Sequence, residues 1–236
     1  MNSLQIRVFA MRSFFVTGTD TGIGKTMLTC ALASSARESG INVGIMKPFA
    51  TGFAQKTRPK SADVELLIKY SKVTDSESLI NPYFFPIPTS PYRASIQLGK
   101  SIQIESVLDG FEKLQSVHDA VLVEGIGGVM TPILKDYFVA DLIKDLNLET
   151  LVIAGNKMGS VNHTLLTLNL CKKYGIRVLG LVINQTNSDG YEMSELEDDL
   201  VSLSGLDVLC KIPHIPNGNI ESVSQILQKN SVLSKL

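Results

Sequence analysis

The stretch Val16-Thr17-Gly18-Thr19-Asp20-Thr21-Gly22-Ile23-Gly24-Lys25-Thr26 decides how the chain reads: an apolar run enters a glycine-rich turn that closes on Gly-Lys-Thr, just ahead of a helix-forming segment. In that order a nest of backbone N–H groups at a helix N-terminus wraps phosphates, a lysine neutralises them, and a threonine hydroxyl ligates Mg2+. The strict phosphate-loop pattern wants a glycine where this chain has Thr19, with Gly18 one place upstream. The spacing is a variant, and a plain glycine-rich turn between strand and helix stands as the alternative. The first reading makes the chain an enzyme or switch driven by a nucleoside triphosphate.

Working outward, strand-like apolar runs fall at Phe14 to Thr17, Val43 to Met46, Ala120 to Val123, Leu151 to Ala154, Val178 to Ile183 and Val208 to Ile212. Most are continuous rather than alternating, the pattern of strands buried on both faces, and helical patterns separate them. This predicts a three-layer α/β/α P-loop NTPase-like domain with a mostly parallel central sheet. One helix is expected from Lys25 to Ser39, stopping at Gly40, and another from a capping Ser160 to Tyr174, stopping at Gly175. Four prolines between Asn81 and Pro91 are expected to forbid regular structure there. The domain is placed at residues 12–236. Residues 1–11, ending in a second methionine, Met11, are an N-terminal extension of uncertain role.

At 236 residues the chain is long enough for one large core. Its 22 Lys and Arg against 23 Asp and Glu leave a net charge of -1, so no global field draws it to nucleic acid or an anionic membrane. Cys30, Cys171 and Cys210 form no C-x-x-C pair and read as reduced core residues, and no apolar run reaches membrane-spanning length. The expected compartment is the cytoplasm. His118, His163 and His214 show no metal-ligand spacing.

In such sheets ligands bind at the carboxyl ends of strands, so the residues after each strand matter most. Lys47 ends an apolar strand beside Pro48, where an unpaired buried ammonium would be costly; a substrate or phosphate contact is the reading, with a lysine snorkelling to water as the alternative. Glu124 ends another buried strand before Gly125-Ile126-Gly127-Gly128 and suits a carboxylate that holds Mg2+, or else a turn cap. Asp63, at the start of a helical pattern, reads equally as a cap. The helix start at Gly159 to His163 offers free N–H groups to a carboxylate or phosphate, or is simply capped.

Taken together, Gly18 to Thr26, Lys47-Pro48-Phe49-Ala50-Thr51-Gly52, Asn81-Pro82-Tyr83 with Pro88-Thr89-Ser90-Pro91, Val123 to Gly128 and Asn162-His163 closely resemble the dethiobiotin synthetase family, in the same order, over roughly Met11 to Asn217. The resemblance implies that ATP and Mg2+ drive the carboxylation and ring closure of 7,8-diaminopelargonic acid with CO2 or bicarbonate, giving dethiobiotin, ADP and phosphate. By resemblance Lys25 spans the transferring phosphate and Lys47 faces the carbamate. Thr26, Asp63 and Glu124 form the Mg2+ set, while Thr21 and Thr51 contact carbamate or substrate near Pro88. The nucleotide is held by Thr19, Asp20, Gly22, Ile23, Gly24, Met27, Gly125, Ile126 and Gly127. Its base meets Asn184, Gln185, Pro213, His214, Ile215 and Asn217. A homodimer is implied, with the substrate's carboxylate tail taken at Gly159, Ser160, Val161 and Asn162 of the partner.

The chain departs from the family at Gln185, where many members have aspartate, and at His214, which replaces a larger aromatic; other nucleotides stay open beside ATP. The tail after Asn217 resembles the family least and reads as a short or frayed helix. Two rivals share the variant loop. Corrinoid amidating synthetases carry a glutaminase domain for which this chain has no cysteine in a nucleophile context. Partitioning or septum-site ATPases use an extra lysine near the loop's start, where this chain has Thr19 and Asp20. On the synthetase reading, Lys47→Ala removes ring closure and leaves the fold intact.

Overall fold

The computed structural model describes residues 11–52, 61–186, 189–215 and 218–236; the expected extension up to residue 10, and Asn217, lie outside them. The phosphate-loop stretch joins strand β1 (Phe14–Gly18) to helix α1 (Lys25–Glu38). The chain continues through β2 (Val43–Met46), β3 (Phe49–Thr51), α2 (Ala62–Ser71), α3 (Glu77–Ile80), β4 (Tyr83–Phe85), α4 (Pro91–Leu98) and α5 (Ile104–Gln115). Then come β5 (Ala120–Glu124), the hairpin β6 (Pro132–Leu134) and β7 (Tyr137–Phe138), α6 (Val139–Asp145), β8 (Glu149–Gly155) and α7 (Ser160–Tyr174). The last elements are β9 (Val178–Asn184), α8 (Met193–Ser204), β10 (Val208–Ile212), α9 (Ile220–Lys229) and a 3-10 turn at Val232–Lys235.

Each of the six apolar runs is a strand of one sheet, ordered β10-β9-β8-β1-β5-β2, and every neighbouring pair is parallel. The continuous apolar pattern has a direct cause. Phe14 and Val16 of β1, Leu122 of β5 and Leu151 and Ile153 of β8 pack with α1, α2 and α9 on one face. Phe15, Val121 and Val123 turn the other way, onto α5 and α6, and Val152 and Ala154 meet α8. Strand side chains alternate between faces, and both faces here are covered by helices, so the central positions are apolar on either side, with Thr17 and Thr150 as buried polar exceptions. Burying Phe14 or Phe15 fully contributes about 1.5–3 kcal/mol each.

Two local expectations need correction. The cap of α7 is Gly159, in a left-handed conformation with φ of 87°, and the Ser160 hydroxyl donates back to the Gly155 carbonyl rather than capping the helix. The proline-rich segment does contain regular structure: β4 runs parallel to β3, with Pro82 and Pro86 just outside it and the Tyr83 N–H donating to the Pro48 carbonyl. Pro91 then opens α4, where a missing N–H costs nothing, and the Ser90 hydroxyl caps it by accepting the Arg93 N–H. Of the two alternatives for the terminal segment, a short helix is the one found: in α9, Ile220, Val223 and Leu227 bury against α1, and Val232 closes the same core.

Candidate active site

The site follows from where β1 lies. The chain runs out to β2 on one side, and β8, β9 and β10 build the other, so β1 and its loop sit between the ends of β5 and β8. The Gly125 N–H donates to the Val16 carbonyl and the Thr19 N–H to the Ile153 carbonyl, which stitches the loop to both neighbours. Crevices of this kind, where strand order reverses, are where α/β sheets bind ligands.

The loop itself is shaped by Gly24, whose φ of 98° suits glycine and whose Cβ, if present, would stand 2.5 Å from the Asn184 amide. Gly24 is thus the N-cap of α1 with no side chain in the way, leaving the first N–H groups of the helix turned to the crevice. Ile23 buries its side chain in the core and half-buried Met27 packs beside it, so only their main chains are open to a phosphate.

Register places the two decisive side chains together. Met46 pairs with Val123, so the next residues, Lys47 and Glu124, lie side by side at the strand ends. The Lys47 ammonium donates to Glu124 Oε1 and stands 3.4 Å from Asp63 Oδ2, which α2 supplies from its first turn. Burial alone would lower the Lys47 pKa; Glu124 and Asp63 more than offset it and hold it above the ordinary lysine value. The Thr26 hydroxyl donates to the same Glu124 oxygen at 2.7 Å. Asp63 therefore acts as an ion-pair partner, not a cap, for the N-cap of α2 is Ser61, which makes no side-chain capping bond.

Glu124 is fully buried, and its Oε2 is one of the few buried side-chain oxygens without a hydrogen-bond partner among the described residues. An orphaned carboxylate oxygen beside a threonine hydroxyl at the mouth of a phosphate loop fits a hard divalent cation. No cluster of three His, Cys, Asp or Glu that could hold a metal occurs among the described residues. Mg2+ does not require one, since it keeps several waters and leans on one or two carboxylates plus phosphate oxygens. Thr26, Glu124 and Asp63 thus fit the cation without enclosing it.

Lys25 is 7 % exposed and folds over the loop, its ammonium donating to the Asp20 carbonyl at 2.7 Å. Burial, then the neighbouring Lys47, push its pKa down to about 8, against the pull of Glu124, Asp20 and Asp63. Asp20 accepts the Thr21 N–H at 2.7 Å on one carboxylate oxygen and the Lys157 ammonium at 2.8 Å on the other. The Lys157 hydrogen bond, then that of Thr21, holds the Asp20 carboxyl below its ordinary value.

These groups open on a cavity of about 1350 Å³, larger than the roughly 300–1,000 Å³ of a typical single-ligand site. Thr19, Thr21, Lys25, Thr26, Lys47 and Glu124 line its phosphate end, and Thr51 and Pro88 join them from β3 and the segment before α4. Gly125, Ile126 and Gly127 form another wall, and Leu166 and Leu170 of α7 give the far end an apolar side. Four expected groups lie apart. Asn184 is nearly buried and its amide donates to the Ile23 carbonyl at 2.8 Å; Gln185 accepts the His214 N–H at 3.1 Å, linking the ends of β9 and β10. Pro213 and His214 are exposed, while Ile215 packs on the core. Gly159, Ser160, Val161 and Asn162 are not among the residues lining their own chain's cavity.

Sequence reasoning missed Lys157 and Asn156. Asn156 is fully buried, accepts the Thr186 N–H at 3.0 Å and exchanges hydrogen bonds with Tyr191, tying the loop after β8 to the one after β9. Neither had a signal in a linear reading, because their partners are 30 or more residues distant. His118 is a packing residue, its ring bridging Asp75 and Asn42, and all three cysteines are free and buried.

A protein-family model described as an AAA domain matches residues 12–221. A relative from Nitrosopumilus maritimus, named "ATP-dependent dethiobiotin synthetase BioD", is 47 % identical over 96 % of this chain and 99 % of its own. One of the same name from Bacillus velezensis is 37 % identical over 89 % and 91 %. Among solved structures, the MinC:MinD cell division complex of Aquifex aeolicus aligns with a TM-score of 0.57 at 13 % identity, covering 95 % of this chain and 93 % of that one. A ParA family ATPase from Chlorobium tepidum aligns at 0.53 and 18 %, covering 95 % and 96 %. At such identities the structural matches speak for the P-loop fold alone.

Proposed function

The chain belongs to the ATP-dependent dethiobiotin synthetase family of biotin biosynthesis, and from that premise we propose that it is a ligase that converts 7,8-diaminopelargonic acid, CO2 and ATP to dethiobiotin, ADP and phosphate. The observation that carries this reading is the convergence of Lys25, Lys47, Thr26, Glu124 and Asp63 on one cavity with room for a nucleotide and a second ligand.

One substrate amine captures CO2 as a carbamate. A carbamate oxygen attacks the γ-phosphorus and expels ADP; the second amine then attacks the carbonyl carbon of the mixed anhydride, closes the ureido ring and expels phosphate. Every stage carries negative charge, so the chain's task is positioning and electrostatic stabilisation. The α1 N-terminus and the loop N–H groups hold the phosphates. Lys25, freed from the Asp20 carbonyl, spans the transferred phosphoryl group. Lys47 keeps its proton, because its neighbours raise its pKa, and serves the carbamate as a fixed cation rather than as a base. Thr21 and Thr51 orient the carbamate and diamine. Mg2+, held by Thr26, Glu124 and Asp63, would offset phosphate charge and align the γ-phosphoryl group.

The Asn184 amide nitrogen donates to the Ile23 carbonyl, so its oxygen is the group left to accept from a base, and an acceptor there would favour the exocyclic amine of ATP over the carbonyl of GTP. Gln185, Pro213, His214 and Ile215 flank that base. The active unit is a homodimer in the cytoplasm. The α7 start, Gly159 to Asn162, would take the carboxylate tail of substrate seated in a partner's cavity, and Met158 at 75 % and Leu166 at 61 % exposure are apolar side chains such a partner could cover. The test is phosphate release by purified protein with ATP, Mg2+ and bicarbonate, with and without the diamine, following product by mass. One dethiobiotin per phosphate, dependent on the diamine, is expected; diamine-independent hydrolysis without ureido product overturns the reading.

A further inference from the structure

Asp20 is an anion placed where an anionic substrate must come. It stands in the phosphate loop, its main-chain oxygen holds Lys25, and its carboxylate holds the loop's own Thr21 N–H. The carboxylate therefore organises the loop and, left alone, would repel the triphosphate the loop binds.

Lys157 answers that charge. Its ammonium takes the remaining Asp20 oxygen at 2.8 Å, across 137 residues of sequence, because β8 lies beside β1 and both strands end at the same edge. A partly exposed ion pair usually contributes little, since two long side chains must be ordered to form it. Here the lysine's main chain is already ordered. The Lys157 carbonyl accepts the Ser160 N–H at 3.0 Å, the Ser160 hydroxyl closes the same turn on Gly155, and Asn156 is buried and tied to the next loop. His163, one turn into α7, also lines the cavity.

We propose that Lys157 is a positioning residue for nucleotide binding: it neutralises Asp20 and braces the phosphate loop against the β8–α7 turn, so that the loop accepts a triphosphate without an uncompensated carboxylate at its mouth. This rests on the loop binding nucleotide and not on which acceptor the phosphoryl group reaches. It also ties the nucleotide loop to the turn that launches α7, so a ligand that shifts that turn alters nucleotide affinity.

The experiment is titration of the diamine-free protein with ATP and Mg2+ by calorimetry, at low and moderate salt, for Lys157→Met, Lys157→Arg and the double variant Asp20→Asn/Lys157→Met. Lys157→Met is expected to bind about fivefold more weakly, the upper range for a partly exposed charge pair. The loss shrinks at higher salt, because the residual repulsion is screened. Lys157→Arg restores binding, and the double variant recovers most of the affinity, since it removes the charge that Lys157 was there to cancel. In turnover assays the Lys157→Met defect appears in KM for ATP, with kcat nearly unchanged. Unaltered affinity in Lys157→Met, or a double variant weaker than the single one, overturns the proposal. If no parent protein binds ATP at all, the functional reading fails instead, which keeps the two outcomes distinct.

Discussion

Replacing Lys47 by methionine tests the electrostatic core of the site. The change keeps the side-chain volume roughly constant but leaves Glu124, fully buried, without the cation that compensates it, while Oε2 already lacks a partner. Breaking a buried pair by removing one member costs about 3–5 kcal/mol, because the other charge stays desolvated. Asp63, half exposed, returns to water and adds little. In a chain of this size each kcal/mol moves Tm by about 2–4 °C, so Lys47→Met should melt roughly 6–20 °C lower. The expectation that Lys47 can be removed with the fold intact thus becomes a measurable one: the variant should still fold, with a lower Tm. Adding Glu124→Gln removes the stranded charge while keeping an acceptor for the Thr26 hydroxyl, so the double variant should return to within about 1 kcal/mol of the parent, without activity. Urea unfolding of parent, both single variants and the double variant closes the cycle. A Lys47→Met protein as stable as the parent, or a double variant no more stable than Lys47→Met, would refute the reasoning.

Lys25 sets a pH dependence with a definite sign. Its folded pKa, about 8, lies below the unfolded value of 10.5, so between these values the unfolded chain binds more protons and stability rises with pH, relieving a penalty of about 3 kcal/mol that is complete below pH 8; a parent stability curve matching that of Lys25→Met from pH 8 to 10 would exclude it. ATP favours the charged lysine, so binding above pH 8 should take up a proton, visible as a calorimetric enthalpy that changes with the buffer's ionisation heat. Glu124→Gln should weaken the Mg2+ dependence of turnover by about 10²-fold or more, and an unchanged Mg2+ titration removes Glu124 from the metal set. Gly24→Ala puts a Cβ 2.5 Å from Asn184 at a φ of 98°, and should abolish ATP binding in equilibrium dialysis while the sheet remains folded by circular dichroism.

The architecture was legible because its determinants are local or periodic. Runs such as Val121-Leu122-Val123 are apolar at every position because both faces of β5 are covered, and that signal survives without knowing which helices cover them. The phosphate loop was legible because glycines, lysine and threonine must follow one another to wrap a phosphate. The proline-rich segment misled, since prolines forbid a strand only where its N–H groups are needed; Pro82 and Pro86 flank β4 and interrupt none of its pairing. Ser160 misled in the opposite sense, being a cap by residue type but turned to Gly155 by the approach of the preceding loop.

The sequence by itself determined a parallel α/β unit with a variant phosphate loop, and offered Lys25, Thr26, Lys47 and Glu124 as candidates for its chemistry, because strand ends and a contiguous loop are written in order along the chain. Only the tertiary structure decided that Lys47 lies between Glu124 and Asp63, that one buried oxygen of Glu124 has no hydrogen-bond partner among the described residues, and that Lys157 pairs with Asp20. Those contacts depend on which strands are neighbours and in what register, a choice made by packing across the whole sheet, and the strength of each charge depends on burial that no single segment specifies.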